Sequence, residues 1–217
     1  MQKPSFLFLL ILGAVALLGA YQSLFPIPTM TSFTRFFALT AYLLLCVSLL
    51  IGPLTVFRPQ TFGQIIEPRR AVGIACFAFV TVHGTLVIGP RYGWDLSPLV
   101  SSLGLAAAIP ATLVLLALTL TSSDYAVKTL GPGVWKNIQR FNYLAFALAS
   151  MHFILQSNGL FLDVNGKTFV NIAEIALLLL GAATVLLQVA GFIERRRKLA
   201  SSKQAQAADM AGPGAGQ

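Results

Sequence analysis

Long apolar runs, separated by short stretches that carry charge, glycine or proline, dominate the pattern of this chain. A helical crossing of the hydrocarbon core takes about 20 mostly apolar residues, so each run is long enough to predict a membrane helix. The runs cover residues 5–21, 36–57, 71–90, 98–121, 139–157 and 169–193. The pattern therefore predicts an all-α fold, a polytopic membrane bundle of six transmembrane helices.

These runs divide the chain into four parts. Residues 1–34 hold the first helix and an outer loop, residues 35–157 hold the next four helices, and residues 158–198 hold the last helix with its basic end. Residues 199–217 are small and polar, which predicts a disordered tail. The first run also resembles a signal peptide, but about 17 apolar residues is long for one and Leu18-Gly19-Ala20 is a poor cleavage site. We expect the helix to be retained.

Composition supports a membrane protein and argues against a nucleic-acid partner. Only 10% of the 217 residues are charged and 56% are apolar, with a mean hydropathy of +0.78, whereas a soluble domain has about a quarter charged residues. The formal charge of +8 lies between the apolar runs and after the last one, without a basic face of its own. Cys46 and Cys76 lie inside apolar runs without Cys-x-x-Cys spacing, which is typical of packing residues.

The basic residues also predict the orientation, because cytoplasmic loops are enriched in Lys and Arg. With the N-terminus in the cytoplasm, twelve of them fall on the cytoplasmic side and three on the other. The cytoplasmic set is Lys3, Arg58, Arg69, Arg70, Lys128, Lys136, Arg140, Arg195, Arg196, Arg197, Lys198 and Lys203, and the outer set is Arg35, Arg91 and Lys167. We therefore expect both termini to be cytoplasmic.

His83 and His152 are the only two histidines, and both lie inside predicted spans. Placing an ionisable residue within a membrane span costs free energy, so its presence there indicates a function. His83 is 13 residues past Arg70 and His152 is 12 past Arg140, on two helices that both run outward. At about 1.5 Å per residue, each ring lies roughly 18 to 20 Å from its arginine, a little past the middle of an about 30 Å core. The two rings therefore share one depth.

Two level imidazoles on neighbouring helices suit one haem iron, with one ligand on each face. We therefore predict one b-type haem in the outer half of the membrane, with His83 and His152 as axial ligands. Small residues would let the flat macrocycle approach: Gly84, Ala145, Ala147, Ala149 and Ser150. One alternative is that each histidine only bonds a neighbouring helix. Another, a zinc or copper site, lacks a third ligand at that depth.

Haem propionates are anionic and prefer the outer interface, where the cations are Arg35, Arg91 and Lys167. Arg91 is eight residues, about 12 Å, beyond His83, which is compatible with a propionate contact. A solvated loop arginine is the alternative reading. Glu174, near the outer end of the last run, is expected to be an interfacial carboxylate. Side chains within helical reach of the histidines are Thr81, Thr85 and Ser150.

Several short stretches carry a resemblance to a known family. They are Glu67-Pro68-Arg69-Arg70-Ala71-Val72-Gly73 before His83, then Leu120-Thr121-Ser122, Leu130-Gly131, Trp135, and Gln139-Arg140-Phe141-Asn142-Tyr143-Leu144 before His152. In this order they resemble the ferric-reductase-like transmembrane family, and within it the haem-binding membrane subunits of bacterial periplasmic methionine-sulfoxide reductase systems. The resemblance implies a multi-pass protein of the bacterial inner membrane that binds b-type haem and passes electrons to a periplasmic molybdenum enzyme.

One departure bears on the number of haems. The family usually has Leu-His-Arg-Leu where this chain has Ile138-Gln139-Arg140-Phe141. In members that hold a second, inner haem, that histidine is a ligand, and an amide oxygen is a weak ligand for iron. We therefore expect a single outer haem. Arg69 and Arg70 are then read as topology charges, with a quinone headgroup or lipid phosphate as an alternative ligand.

Together these features predict an electron-transfer subunit of an oxidoreductase system in the lipid bilayer. Its acceptor would be a periplasmic reductase or a metal ion, and its donor a quinol or a flavoprotein. A quinol is favoured because, without an inner haem, electrons from the cytoplasm would cross half the bilayer unaided, and FMN has weaker support. Two other classes stay open: a membrane ferric or other metal-ion reductase, and a haem-free structural or transport bundle.

Overall fold

The computed structural model describes residues 6–24, 29–63, 68–156, 161–164 and 167–210. This part of the chain is predominantly helical, as predicted, with one π-helical segment and one short hairpin. The helices are α1 Phe6–Ser23, α2 Thr29–Phe57, α3 Pro59–Phe62, α4 Pro68–Leu86, α5 Pro98–Ser101, α6 Leu103–Leu120, α7 Asp124–Gln139, α8 Asn142–Gln156 and α9 Ile172–Met210. The π-helical segment is Val87–Arg91, and the strands are β1 Phe161–Val164 and β2 Lys167–Val170.

Four stretches within the described residues are long and apolar enough to cross a membrane: Met30–Phe57, Arg69–Arg91, Leu103–Leu120 and Ile172–Ala207. They correspond to the second, third, fourth and sixth predicted spans. α1 and α8 form where the first and fifth spans are predicted, but α8 has only 15 residues. At about 1.5 Å per residue it is roughly 22 Å long, less than the core of about 30 Å. The count of six spans and the orientation therefore stay predictions.

The predicted helix over residues 98–121 is broken near its start. α5 ends at Ser101, and Ser102 adopts an extended backbone with φ −135° and ψ 149°. Its hydroxyl accepts a hydrogen bond of 3.3 Å from the backbone N–H of Leu105, so Ser102 caps α6. The cap fixes the start of α6 beside the end of α8.

α7 was not among the predicted helices, because it is amphipathic rather than apolar. Ser123 caps it by accepting from the N–H of Ala126 at 3.1 Å. It bends at Gly131, whose φ of 75° is in the left-handed region that favours glycine.

The predicted helix over 169–193 differs from α9 at both ends. α9 starts later than predicted, at Ile172, because residues 167–170 form β2. This strand pairs antiparallel with β1, with Val164 opposite Lys167. The sequence between the strands, Asn165-Gly166, is the pair most typical of a two-residue hairpin turn. α9 also continues to Met210, where the sequence predicts a disordered tail. Its extension is exposed and rich in the strong helix formers Ala, Gln and Lys, and residues 211–217 lie outside the described residues.

α2 is the central helix of the bundle and carries much of the buried core. It runs parallel to α9, with contacts that advance by seven residues on both helices, as in coiled-coil packing. The contacting pairs are Arg35 with Glu174, Tyr42 with Gly181, and Leu49 with Gln188. α2 runs antiparallel to α4, where the thiol of Cys76 donates to the Ala41 carbonyl at 3.3 Å. Both cysteines are free and buried, as expected for packing residues.

Candidate functional site

The two histidines lie side by side within the bundle. His83 on α4 and His152 on α8 have ring centroids 6.3 Å apart, with an angle of 62° between the ring planes. Each ring is partly buried. α4 runs antiparallel to α2, since Thr34 contacts His83 and Ala41 contacts Cys76. α8 also runs antiparallel to α2, since Tyr42 contacts Ser150 and Leu49 is linked through Gln188 to Tyr143, so both histidine helices run in the same direction through the bundle.

Both rings are held in the same way, by a backbone carbonyl of a neighbouring helix. His83 Nδ1 donates to the Thr34 carbonyl on α2 at 3.0 Å. His152 Nδ1 donates to the Gly104 carbonyl on α6 at 2.8 Å. Because a carbonyl only accepts, Nδ1 carries the hydrogen in each neutral ring, and Nε2 is left with its lone pair. This is the arrangement that orients a histidine for metal binding through Nε2.

Gly104 lets α6 approach α8 at the level of His152. A Cβ on this residue would lie 2.9 Å from Leu155 Cβ and 2.8 Å from Gln156 Nε2, well inside normal contact. Only glycine therefore allows the carbonyl of residue 104 to reach the imidazole at the observed distance.

The side chains that the sequence placed within reach of the histidines bond elsewhere. The hydroxyls of Thr81 and Thr85 donate to carbonyls of their own helix, and the Ser150 hydroxyl lies 3.0 Å from the Tyr42 hydroxyl. The sequence did not reveal the actual partners, the backbone carbonyls of Thr34 and Gly104. Every residue has a backbone carbonyl, so no residue type marks the one that a histidine bonds.

The spacing of the rings fits an iron between them. Two imidazoles on opposite sides of one metal ion, each bonded at about 2 Å, have ring centres roughly 6 Å apart. The observed separation is 6.3 Å. Beside His83, no atom outside the adjoining part of α4 lies within 4 Å of the position that a Cβ on Gly84 would take, so no other element fills the space next to this face of the helix. The residues present therefore fit a haem held by two histidines.

At the end of the bundle where α2 and α9 begin, Glu174 is buried rather than interfacial. It is 5% exposed, and its Oε1 lies 2.8 Å from the Arg35 guanidinium, which is also largely buried. The Arg35 charge is thus compensated, which makes Arg35 a poor anchor for a second anion. Lys167 begins β2, and its side chain is not among those that the structure describes.

Arg91 ends the π-helical segment and is exposed. Its guanidinium lies 5.6 Å from the centre of the Tyr92 ring and is close enough to His83 to interact electrostatically. Across the ranges described, no carboxylate pairs with it. Arg91 therefore keeps a positive charge near His83 that no described carboxylate compensates.

Gln139, the residue that replaces the expected histidine, already has partners. Its Nε2 donates to the Thr121 hydroxyl at 3.3 Å and lies 3.5 Å from the Leu118 carbonyl, at the end of α6. Next to it lies an open apolar cleft of about 450 Å³. The residues that line the cleft are Leu113, Val114, Ala117, Leu118, Thr121, Ile138 and Phe141. Nowhere in the described residues do three or more His, Cys, Asp or Glu side chains group to hold a metal ion.

Comparisons with known proteins place these observations in a family. Residues 37–150 match the family described as the ferric reductase like transmembrane component. The chain is 33% identical over 141 residues to the protein-methionine-sulfoxide reductase heme-binding subunit MsrQ of Enterobacter sp. (strain 638), a match that covers 63% of this chain and 69% of that protein.

Proteins of the same name from Salmonella paratyphi B and Salmonella newport are 37% identical over 120 residues, which is 53% of this chain and 59% of each relative. No solved structure matches. The match to the family covers 114 of the 217 residues, those from 37 to 150. Since that is more than half of the chain, this protein belongs to the ferric-reductase-like transmembrane family, as the short stretches of its sequence predicted.

Proposed function

We propose that this protein is a membrane electron-transfer subunit that binds one b-type haem between His83 and His152. The observation that carries the proposal is the pair of rings 6.3 Å apart, each with Nδ1 bonded to a backbone carbonyl and Nε2 left for a metal. The names of the MsrQ relatives, which call them heme-binding subunits, support the same cofactor.

A bound haem would supply a centre that accepts and donates one electron at a time. The protein's own contribution is to orient the two imidazoles. The carbonyls of Thr34 and Gly104 fix the tautomer of each ring and increase the basicity of Nε2. Arg91 is the residue we assign to a haem propionate, because its uncompensated charge lies near His83.

We propose a membrane quinol as the electron donor. Gln139 Nε2 is bonded to the Thr121 hydroxyl beside the end of α6, and an amide oxygen is a weak ligand for iron, so we assign no second haem there. The adjacent apolar cleft of about 450 Å³ has the character of a site for a lipophilic ring. A flavoprotein donor would need a route across that half of the bilayer.

The proposed acceptor is a methionine-sulfoxide reductase, which the names of the relatives suggest. The two half reactions balance. Oxidation of a quinol releases two electrons and two protons, and reduction of a sulfoxide to a thioether and water consumes two of each. A haem held by His83 and His152 would supply one-electron transfer between the two half reactions.

The haem assignment is tested by an absorption spectrum of protein purified after expression with sufficient haem. The dithionite-reduced minus oxidised spectrum should show the bands of a low-spin b haem. The bands should be lost in His83→Ala and in His152→Ala, and retained in Thr81→Ala, a polar change on the exposed side of α4. A wild-type protein without these bands would refute the proposal.

The donor is tested in sealed inside-out vesicles, with and without extraction of quinone. Haem reduction by a quinol-generating substrate should stop on extraction and return when quinone is added back. Equally fast reduction by reduced flavin in extracted and replete vesicles would exclude quinol as the required donor.

A further inference from the structure

The end of the bundle opposite the Arg35–Glu174 pair is strongly basic. α4 begins there, and α9 passes through it with the run Arg195-Arg196-Arg197-Lys198. Lys198 Nζ donates to the Val56 carbonyl at the end of α2 over 2.7 Å, which ties α9 to this end of the bundle.

Most of these basic side chains have a partner. Arg70 Nη1 lies 2.6 Å from Asp124 Oδ1, and Arg140 Nη1 donates to Asn137 Oδ1 at 2.9 Å. The Arg196 guanidinium lies 4.8 Å from the centre of the Phe192 ring. Their charges are therefore either paired or held against a neighbouring group.

Arg69 is different from its neighbour Arg70. Its side chain is only partly exposed, and in the segments that the structure covers no carboxylate pairs with it and no acceptor bonds to it. The groups close enough to interact with it electrostatically are Arg195, which has the same charge, and the hydroxyl of Tyr143. Tyr143 donates to Gln188 over 3.4 Å, a long bond that a stronger acceptor would replace.

These groups are suited to bind an anion. A partly buried charge without a counter-ion is unfavourable, and a second positive charge nearby makes it more so. An anion bound between Arg69 and Arg195 would compensate the partly buried charge of Arg69 and reduce its repulsion with Arg195. Guanidinium groups bind phosphate oxygens in pairs through parallel N–H bonds. Where a helix leaves a membrane, the phosphate at hand is that of an acidic phospholipid.

We propose that Arg69 and Arg195 bind the headgroup phosphate of one acidic phospholipid, with the Tyr143 hydroxyl as a third donor. All three side chains lie at one end of the bundle, Arg69 and Tyr143 in the first turns of α4 and α8 and Arg195 within α9, and none bonds to a histidine, so the site does not depend on haem binding. Tyr143 and Arg195 are exposed, which leaves the site open to lipid.

The test is native mass spectrometry of the purified full-length chain, released from detergent after incubation with two lipids. Dioleoyl-phosphatidylglycerol and dioleoyl-phosphatidylcholine have the same acyl chains and differ in headgroup charge. Wild-type protein should retain one phosphatidylglycerol with a preference of about tenfold over phosphatidylcholine. Arg69→Gln should lose about tenfold of that retention, whereas Arg70→Gln, whose arginine is already paired with Asp124, should keep it.

Three results would overturn the proposal. They are equal retention of the two lipids, equal losses in Arg69→Gln and Arg70→Gln, and displacement of phosphatidylglycerol by millimolar inorganic phosphate, which would make free phosphate the ligand. Circular dichroism checks that each variant folds. If Arg69→Gln does not fold, Arg195→Gln provides the test, because Arg195 is exposed and its loss should also weaken retention.

Discussion

Replacing Gly104 by alanine should disturb the histidine site without touching a histidine. The new Cβ would lie 2.9 Å from Leu155 Cβ, and a Cβ cannot move away by side-chain rotation. Normal carbon contacts are about 3.5 to 4.0 Å, so α6 and α8 must separate by roughly 0.6 to 1 Å. The bond from His152 Nδ1 to the residue 104 carbonyl, now 2.8 Å, would then reach about 3.4 Å or more, beyond a good hydrogen bond.

Overpacking of this kind costs about 1 to 3 kcal/mol of folding stability, and loss of the bond frees the imidazole to rotate. We therefore expect Gly104→Ala to unfold at a lower temperature and to hold less haem per chain. The measurements are thermal unfolding followed by circular dichroism, and haem content from the pyridine haemochrome spectrum. Adding Gln156→Ala should restore little, since the clash with Leu155 remains.

The matched control is Gly52→Ala on α2, because no atom outside the adjoining part of α2 lies within 4 Å of the position of its new Cβ. In a helix interior this change should be neutral or stabilise by about 0.5 to 1 kcal/mol. Haem content and unfolding temperature in Gly104→Ala equal to those of Gly52→Ala would refute the role given to close packing of α6 and α8.

Three further predictions concern other residues. Gly84→Ala should fold normally, since its Cβ meets no protein atom, yet hold less haem because that Cβ occupies the space beside His83; unchanged haem content would exclude a macrocycle there. Glu174→Gln should lower stability by about 3 to 5 kcal/mol in chemical unfolding, because it leaves Arg35 buried without a counter-ion, and a change under 1 kcal/mol would contradict this. The hydrogen bond from Arg70 lowers the pKa of Asp124 from 3.8, so its stabilising contribution is present above that value and is lost as pH falls through the lowered pKa. Asp124→Asn should weaken this acid-side dependence of the unfolding midpoint.

The apolar runs predicted most of the helices because hydrocarbon burial is decided by composition over about 20 residues. The same rule missed elements whose formation does not depend on burial in hydrocarbon. α7 carries Asp124, Lys128 and Lys136, so no apolar run marks it. α2 begins at Thr29 rather than 36 because Arg35, whose charge suggested a boundary, is neutralised by Glu174 within the bundle.

The contact between Arg35 and Glu174 did leave a trace in the sequence. Arg35, Tyr42 and Leu49 recur every seven residues on α2, as do their partners Glu174, Gly181 and Gln188 on α9. When two helices share a seven-residue spacing and carry opposite charges at the first pair of positions, they are typically parallel and in register. The spacing becomes informative only once the two helices are known to be neighbours, and that is a property of the fold.

The two histidine rings depend on helix packing more than on nearby side chains. Each donates its Nδ1 hydrogen bond to a carbonyl near the beginning of an antiparallel helix, Thr34 on α2 and Gly104 on α6. A carbonyl is present whatever the side chain, so polar substitutions close to the histidines in sequence leave it in place. Its position changes when the helices move apart. Changes in residue volume at the contacts between α2 and α4, and between α6 and α8, should therefore alter the site more than removal of hydroxyl groups from Thr81, Thr85 or Ser150.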